Sequence, residues 1–333
     1  MLAQDTSRNL SGDSRLFPVL AFTTSLLTLG LILFGAIVRV TDSGLGCGNQ
    51  WPSCNGTFFP PLDNVTAWIE WLHRLFAVLI GLMGLGMLGV AIAAYRRRDR
   101  SILIATVIAA VLFALQSALG ALVVVLDLPP TMVTLHLGTA MLLLGALLLS
   151  GVLTVHKPRL HYPRDGFTYL GILTAIFSLV IILTGALVRG SGATLACTDW
   201  PLCNGELLPS SGGGLSLQHI HMLHRFAVGA LGITLVLLVW QAFAVRRDRL
   251  VRGLAAAALT VFLMQAGVGA MYVISSAGRE WGAAHVALAA ATWALLVVLS
   301  AVDLMNTRAS GSTEEAPVKE ERRWQATSTP VAG

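Results

Sequence analysis

Apolar stretches of roughly 20 residues, the length that crosses the ~30 Å hydrocarbon core of a bilayer, recur eight times along this chain of 333 residues. They lie near residues 16–38, 67–94, 102–125, 131–155, 167–188, 218–245, 252–274 and 281–305. The chain is 55% hydrophobic and 12% charged, with a mean hydropathy of +0.75, which is far from the balance of a water-soluble domain. The expected fold class is an all-α integral membrane protein of eight transmembrane helices embedded in the lipid bilayer. The first stretch runs straight into Gly35-Ala36-Ile37-Val38-Arg39 without a small-residue cleavage site, so it reads as a span and not as a signal peptide.

Basic residues orient these spans. Arg96, Arg97, Arg98 and Arg100 follow the second, Lys157, Arg159 and Arg164 the fourth, and Arg246, Arg247, Arg249 and Arg252 the sixth. Arg8, Arg15, Arg308, Lys319, Arg322 and Arg323 fall on the same side, whereas no Lys or Arg occurs between Val40 and Trp68 or between Gly190 and His224. The positive-inside rule predicts a multi-pass cell-membrane protein with both termini cytoplasmic and two long external loops. The formal charge of +5 and pI of about 9.4 arise from this asymmetry and do not signal nucleic-acid binding.

The chain is also a duplication. Gly35-Ala36-Ile37-Val38-Arg39 returns as Gly185-Ala186-Leu187-Val188-Arg189, and Trp51-Pro52-Ser53-Cys54-Asn55-Gly56 as Trp200-Pro201-Leu202-Cys203-Asn204-Gly205. Leu72-His73-Arg74 returns as Leu223-His224-Arg225, Gln116 and Gly120 as Gln265 and Gly269, and His136 as His285, always at an offset of 149 to 151. Four spans per repeat return the chain to its starting side. The halves, 16–156 and 167–305, are expected as tandem four-helix bundles related by a pseudo-two-fold axis along the membrane normal. Residues 1–15 are expected as a cytoplasmic N-terminal tail and 306–333 as a disordered cytoplasmic tail.

Histidine is costly in hydrocarbon, so its placement carries function. His73, His136, His224 and His285 each stand a few residues inside the outer start of a span, the pairs being 63 and 61 residues apart. At 1.5 Å per residue each lies on the order of 8–12 Å from the outer end of its helix, in one layer. Two neutral imidazoles converging from separate helices are what a six-coordinate heme iron requires, which implies two heme sites. The bland reading is that each histidine hydrogen-bonds a neighbouring helix. Arg39, Arg74, Arg189 and Arg225 lie near the same level and can pair with heme propionates, although Arg39 and Arg189 can equally snorkel to the interface.

The halves differ at one point that bears on chemistry. Glu70, one helical turn before His73, corresponds to His221. Three residues apart on a helix, Glu70 is expected to look into the same pocket as His73, as a candidate for proton or charge chemistry, unless Arg74 or Arg39 satisfies it structurally. The asymmetry suggests that the first half hosts chemistry and the second carries electrons. The external loops hold all four cysteines, read as disulfides Cys47–Cys54 and Cys197–Cys203 that staple the loops or serve a redox role; a zinc site with His219 and His221 is the weaker option. Their spacings differ by one residue, so the loops need not share a conformation.

The GAIVR segment, the ExxHR of Glu70 to Arg74, the WPxCNG repeats and the four histidines together resemble the heme A synthase family, in its bacterial form with a cysteine pair in each external loop. The resemblance covers about residues 17 to 305. It implies an oxidoreductase acting on a CH3 group, which converts a ring methyl of heme O to the formyl of heme A by successive hydroxylations for cytochrome oxidase biogenesis. It further implies that His224 and His285 ligate a resident heme b, that His73 and His136 hold the substrate heme O, and that Glu70 acts on the reacting methyl as a base or as a stabilising charge. Heme O synthase and an unassigned electron acceptor are the partners it suggests. Two other classes use parts of the same pattern. A diheme b-type electron carrier needs only the four histidines, and a parallel-repeat transporter or thiol-oxidising protein would be built around the external cysteines.

Overall fold

The computed structural model describes residues 13–158, 162–210 and 216–308. Arg8, Arg159, Lys319, Arg322 and Arg323, with tail residues 1–12 and 309–333, lie outside the described residues. Eight helices follow in order: α1 (Asp13–Val40), α2 (Val65–Tyr95), α3 (Arg100–Val125), α4 (Pro130–Val155), α5 (Gly166–Gly190), α6 (Leu217–Val245), α7 (Arg249–Ile274) and α8 (Arg279–Met305). All eight are long and apolar enough to cross a membrane. Asn64, Asp99, Asp165, Ser216 and Asp248 each accept a first-turn N–H, which fixes where α2, α3, α5, α6 and α7 begin. Helix α1 starts at Asp13, earlier than the expected tail boundary at residue 15.

In the first half α1 packs on α2, α2 on α3, α3 on α4 and α4 on α1, and the second half repeats this cycle with α5 to α8. Helices α2 and α4 therefore face each other across one bundle, and α6 and α8 across the other. The halves meet through α1–α8, α4–α5 and α4–α8, contacts that are unchanged when the halves are exchanged, which is compatible with a pseudo-two-fold axis. At the centre Ile32, Met141, Leu144, Ala290 and Trp293 form one core. Leu26, Leu82, Val111, Ile176, Ile233 and Leu263 face outward, an apolar surface suited to lipid.

The end with the short α2–α3 and α6–α7 turns is locked in the second half. Arg246, 1% exposed, donates from Nε to Asp303 Oδ1 at 2.6 Å and from Nη1 and Nη2 to Asp165 at 2.8 Å each. Tyr162 and Phe167 stack against its guanidinium. Removing one partner of such a buried pair costs about 3–5 kcal/mol, because the other charge is left uncompensated. The Arg246 hydrogen bond, foremost, holds the Asp165 carboxyl below its ordinary range. Its stabilising contribution is thus complete at neutral pH and fades only as pH falls through that lowered value. Beside it, β1 (Tyr162–Pro163) pairs in parallel with β2 (Thr307–Arg308). The tail expected to be disordered from residue 306 accordingly begins with ordered chain through Arg308.

Candidate functional site

The four histidines enter the bundles from the diagonally opposed helices: His73 from α2, His136 from α4, His224 from α6 and His285 from α8. All stand six to eight residues past the first residue of their helix, at one level beneath the long loops.

Each ring is seated on a glycine of the preceding helix. A Cβ added at Gly35 would stand 3.2 Å from His73 Cε1, at Gly120 3.1 Å from His136, at Gly185 3.1 Å from His224 and at Gly269 2.9 Å from His285. A side chain at these positions would crowd the imidazole and force it to shift. The repetition of Gly35 and Gly185, and of Gly120 and Gly269, thus has a steric cause. Gly269→Ala should drive His285 off its seat, at roughly 1–3 kcal/mol, and lower heme retention and thermal stability together. Gly253→Ala, in the same helix with open space around it, should be neutral or slightly stabilising; equal melting of the two variants in detergent would refute the seat.

Hydrogen bonds distinguish the halves. Thr184 Oγ1 donates to Ile181 O at 2.8 Å and so is left to accept from His224 Nδ1 at 3.0 Å. His285 Nδ1 donates to the Gln265 carbonyl at 3.2 Å. In the first half Nδ1 of both His73 and His136 is buried without a partner, and the Gln116 side-chain nitrogen lies 3.1 Å from His136 Nε2.

Glu70, 3% exposed, is tied to the loop above it. Its Oε2 accepts the Cys47 N–H at 2.8 Å and its Oε1 accepts from Arg74. Arg74 also donates to the carbonyls of Gln50 and Ser53. In the second half Arg225 donates to Pro201 and Leu202 carbonyls and lies 3.2 Å from His221 Nε2. Arg74 and Arg225 therefore brace the WPxC loops, while Arg39 and Arg189 stand in the last turns of α1 and α5, Arg189 3.8 Å from Asp42.

Both disulfides are present, Cys47–Cys54 and Cys197–Cys203, which leaves no thiolate for zinc. Despite the spacing difference the loops converge on one form. In each, a two-residue hairpin places Asn and Gly at positive φ (Asn55 and Gly56, Asn204 and Gly205), the geometry that Asn-Gly favours. Gln50 Oε1 accepts the Gly56 N–H and Asp199 Oδ2 the Gly205 N–H, both at 2.8 Å. The Gly205 bond, foremost, holds the Asp199 carboxyl below its ordinary range.

These residues fit a macrocycle ligated on both faces. The imidazoles of each half come from helices that face each other across the bundle, glycines clear the space beside them, and in the second half Nδ1 is occupied in a way that leaves Nε2 for a metal. Among the described residues no cluster of three or more His, Cys, Asp or Glu offers a conventional metal site.

The fold and site define a polytopic helical membrane protein with a paired-imidazole site in each of two repeated halves. The chain belongs to the cytochrome oxidase assembly protein family COX15-CtaA, whose family model matches residues 18–297. It is 33% identical over 279 residues to the Heme A synthase of Symbiobacterium thermophilum, covering 80% of this chain and 89% of that one. It is also 33% identical over 286 residues to the Heme A synthase of Shouchella clausii (83% and 93% covered) and 30% identical over 287 residues to that of Exiguobacterium sp. (84% and 92%).

Proposed function

We propose that this chain is a heme A synthase, an oxidoreductase that converts a methyl group of heme O to the formyl group of heme A for cytochrome oxidase assembly. The observation that carries the reading is a histidine pair on facing helices in each half, with a buried carboxylate, Glu70, one turn before the first histidine of the first half and a histidine at its counterpart. Family membership and the likeness to heme A synthases of other bacteria support it. His73 and His136 hold the substrate from its two faces, and His224 and His285 hold a resident heme b. Arg39 and Arg189 lie at the level where propionates emerge and are proposed to pair with them.

Methyl-to-formyl conversion with water as the oxygen source adds one oxygen atom and releases four electrons and four protons. Heme b, when bound, supplies the route by which electrons leave, toward an acceptor outside this chain. Glu70 contributes fixed negative charge. Both its oxygens accept hydrogen bonds, from Arg74 and the Cys47 N–H, the donor set of an ionised carboxylate held in place. A charge so placed stabilises electron deficiency developing at a neighbouring methyl. The disulfide loops brace that carboxylate and cover the substrate half from outside. The basic clusters at the short-turn end, Arg96 to Arg100 and Arg247 to Arg252, support a cell-membrane protein with both termini cytoplasmic.

The test is expression in a host that makes heme O but no heme A. Extracted hemes analysed by mass should then include heme A, and the purified protein should carry heme b. Two hemes b and no heme A would identify an electron carrier instead, and a colourless protein would end the heme reading altogether.

A further inference from the structure

The four imidazoles share their glycine seats but not their hydrogen bonds. Position 184 follows Ile181 by three residues, so the Thr184 hydroxyl proton is spent on the carbonyl of its own helix and its lone pair faces His224 Nδ1 at 3.0 Å. Gly185, the next residue, seats the same ring with a would-be Cβ 3.1 Å from Cε1. Two adjacent residues of α5 thus fix both the tilt and the tautomer of His224, leaving the Nε2 lone pair free. The duplication offset places Phe34 at the corresponding point of the first half, beside Gly35. Phe34 meets His73 edge to face, with ring centroids 5.9 Å apart, and offers Nδ1 no acceptor. The partner ligands differ in the same sense. Gln265 contributes its main-chain carbonyl to His285 Nδ1, whereas the equivalent Gln116 places its amide nitrogen against His136 Nε2, the atom a metal would take.

We propose that Thr184, with Phe34 as its first-half counterpart, is the positioning residue that makes one site retain its heme and the other release it. The inference rests on the assignment of a resident heme to His224 and His285. An enzyme that transforms one heme with the help of another must hold the helper and discharge the product. Securing Nδ1 raises imidazole basicity and removes the freedom of the ring to turn away; loss of such a support typically weakens metal affinity 10–100-fold. At His224 a hydroxyl gives that support, and at His73, where Phe34 stands in place of the threonine, it is missing.

Transfer of heme from purified protein to excess apomyoglobin, with the midpoint potential of the retained heme, reads this directly. Thr184→Val keeps the shape of the side chain but removes the acceptor. It should speed loss of heme b at least tenfold and raise its potential, since a less basic ligand favours the ferric state less. Thr184→Ser restores the hydroxyl and should restore both values, which separates the hydrogen bond from packing. Phe34→Thr should slow release of the heme held by His73 and His136. Wild-type retention and potential in Thr184→Val would overturn the proposal while leaving the resident site intact. Full heme b retention in His224→Ala would instead overturn the site assignment on which it rests.

Discussion

His224→Ala is expected to leave the protein folded and nearly free of heme b, while His73→Ala keeps it. His224 reaches the bundle from α6 and His285 from α8, helices that face each other across the second half, so neither can replace the other. Loss of a supporting hydrogen bond at a metal ligand already costs 10–100-fold in affinity. Loss of the ligand itself should exceed this, on the order of 3 kcal/mol or more on the scale where 1.4 kcal/mol is tenfold. The fold does not depend on that contact. The second-half core of Leu235, Leu238, Leu296, Leu299 and Val251, and the Arg246 ion-pair lock, lie apart from the imidazoles. The ratio of heme b to protein, with the absorption spectrum of a two-imidazole iron, checks the outcome. If His73→Ala empties the protein of heme b and His224→Ala does not, the roles of the halves are reversed.

Much of this arrangement is legible in the chain. Eight hydropathy maxima mark all eight helices because membrane length is set by bilayer thickness, a property of the solvent. The histidines and the WPxCNG loops are legible as repeats, whereas the shared hairpin at Asn55-Gly56 and Asn204-Gly205 is not expected from loops of unequal cysteine spacing. What the sequence hides are contacts between segments far apart. Gly35, Gly120, Gly185 and Gly269 stand out as repeated, but that each seats an imidazole follows only from the packing of α1 on α2, α3 on α4, and so on. Arg246 reads as one of four topology charges, yet it is buried with Asp303 and Asp165, 57 and 81 residues away. Glu70 is conspicuous one turn before His73, but helical phase alone cannot show that the returning α1–α2 loop places the Cys47 N–H on its carboxylate. Thr184 carries no motif and acquires meaning only from the His224 ring beside it.

Glu70→Gln is expected to abolish most heme A formation while heme b is retained and heme O or a partly oxidised heme accumulates. The substitution keeps volume and one acceptor oxygen but removes the charge. One of the two donors now facing Glu70, Arg74 or the Cys47 N–H, will meet an NH2 group, and a buried unpaired donor costs about 1–3 kcal/mol. Some loosening of the loop is therefore built into the variant. It should appear as a modest drop in thermal stability, bounded by the Cys47–Cys54 disulfide, which still closes the loop. The chemical effect should be much larger, because deleting a preorganised electrostatic group at a reacting centre typically lowers turnover on the order of 10²-fold or more. His221 shows what that position does without the charge. In the second half an imidazole stands there, Arg225 still braces its loop through the carbonyls of Pro201 and Leu202, and the loop keeps its form. The second-half loop thus keeps its form without a carboxylate at this place, which sets the proposed role of the Glu70 charge toward the substrate apart from loop bracing. Mass analysis of hemes extracted from the variant decides the matter: heme A at wild-type levels would remove the Glu70 charge from the reaction and leave it only a role in bracing the loop.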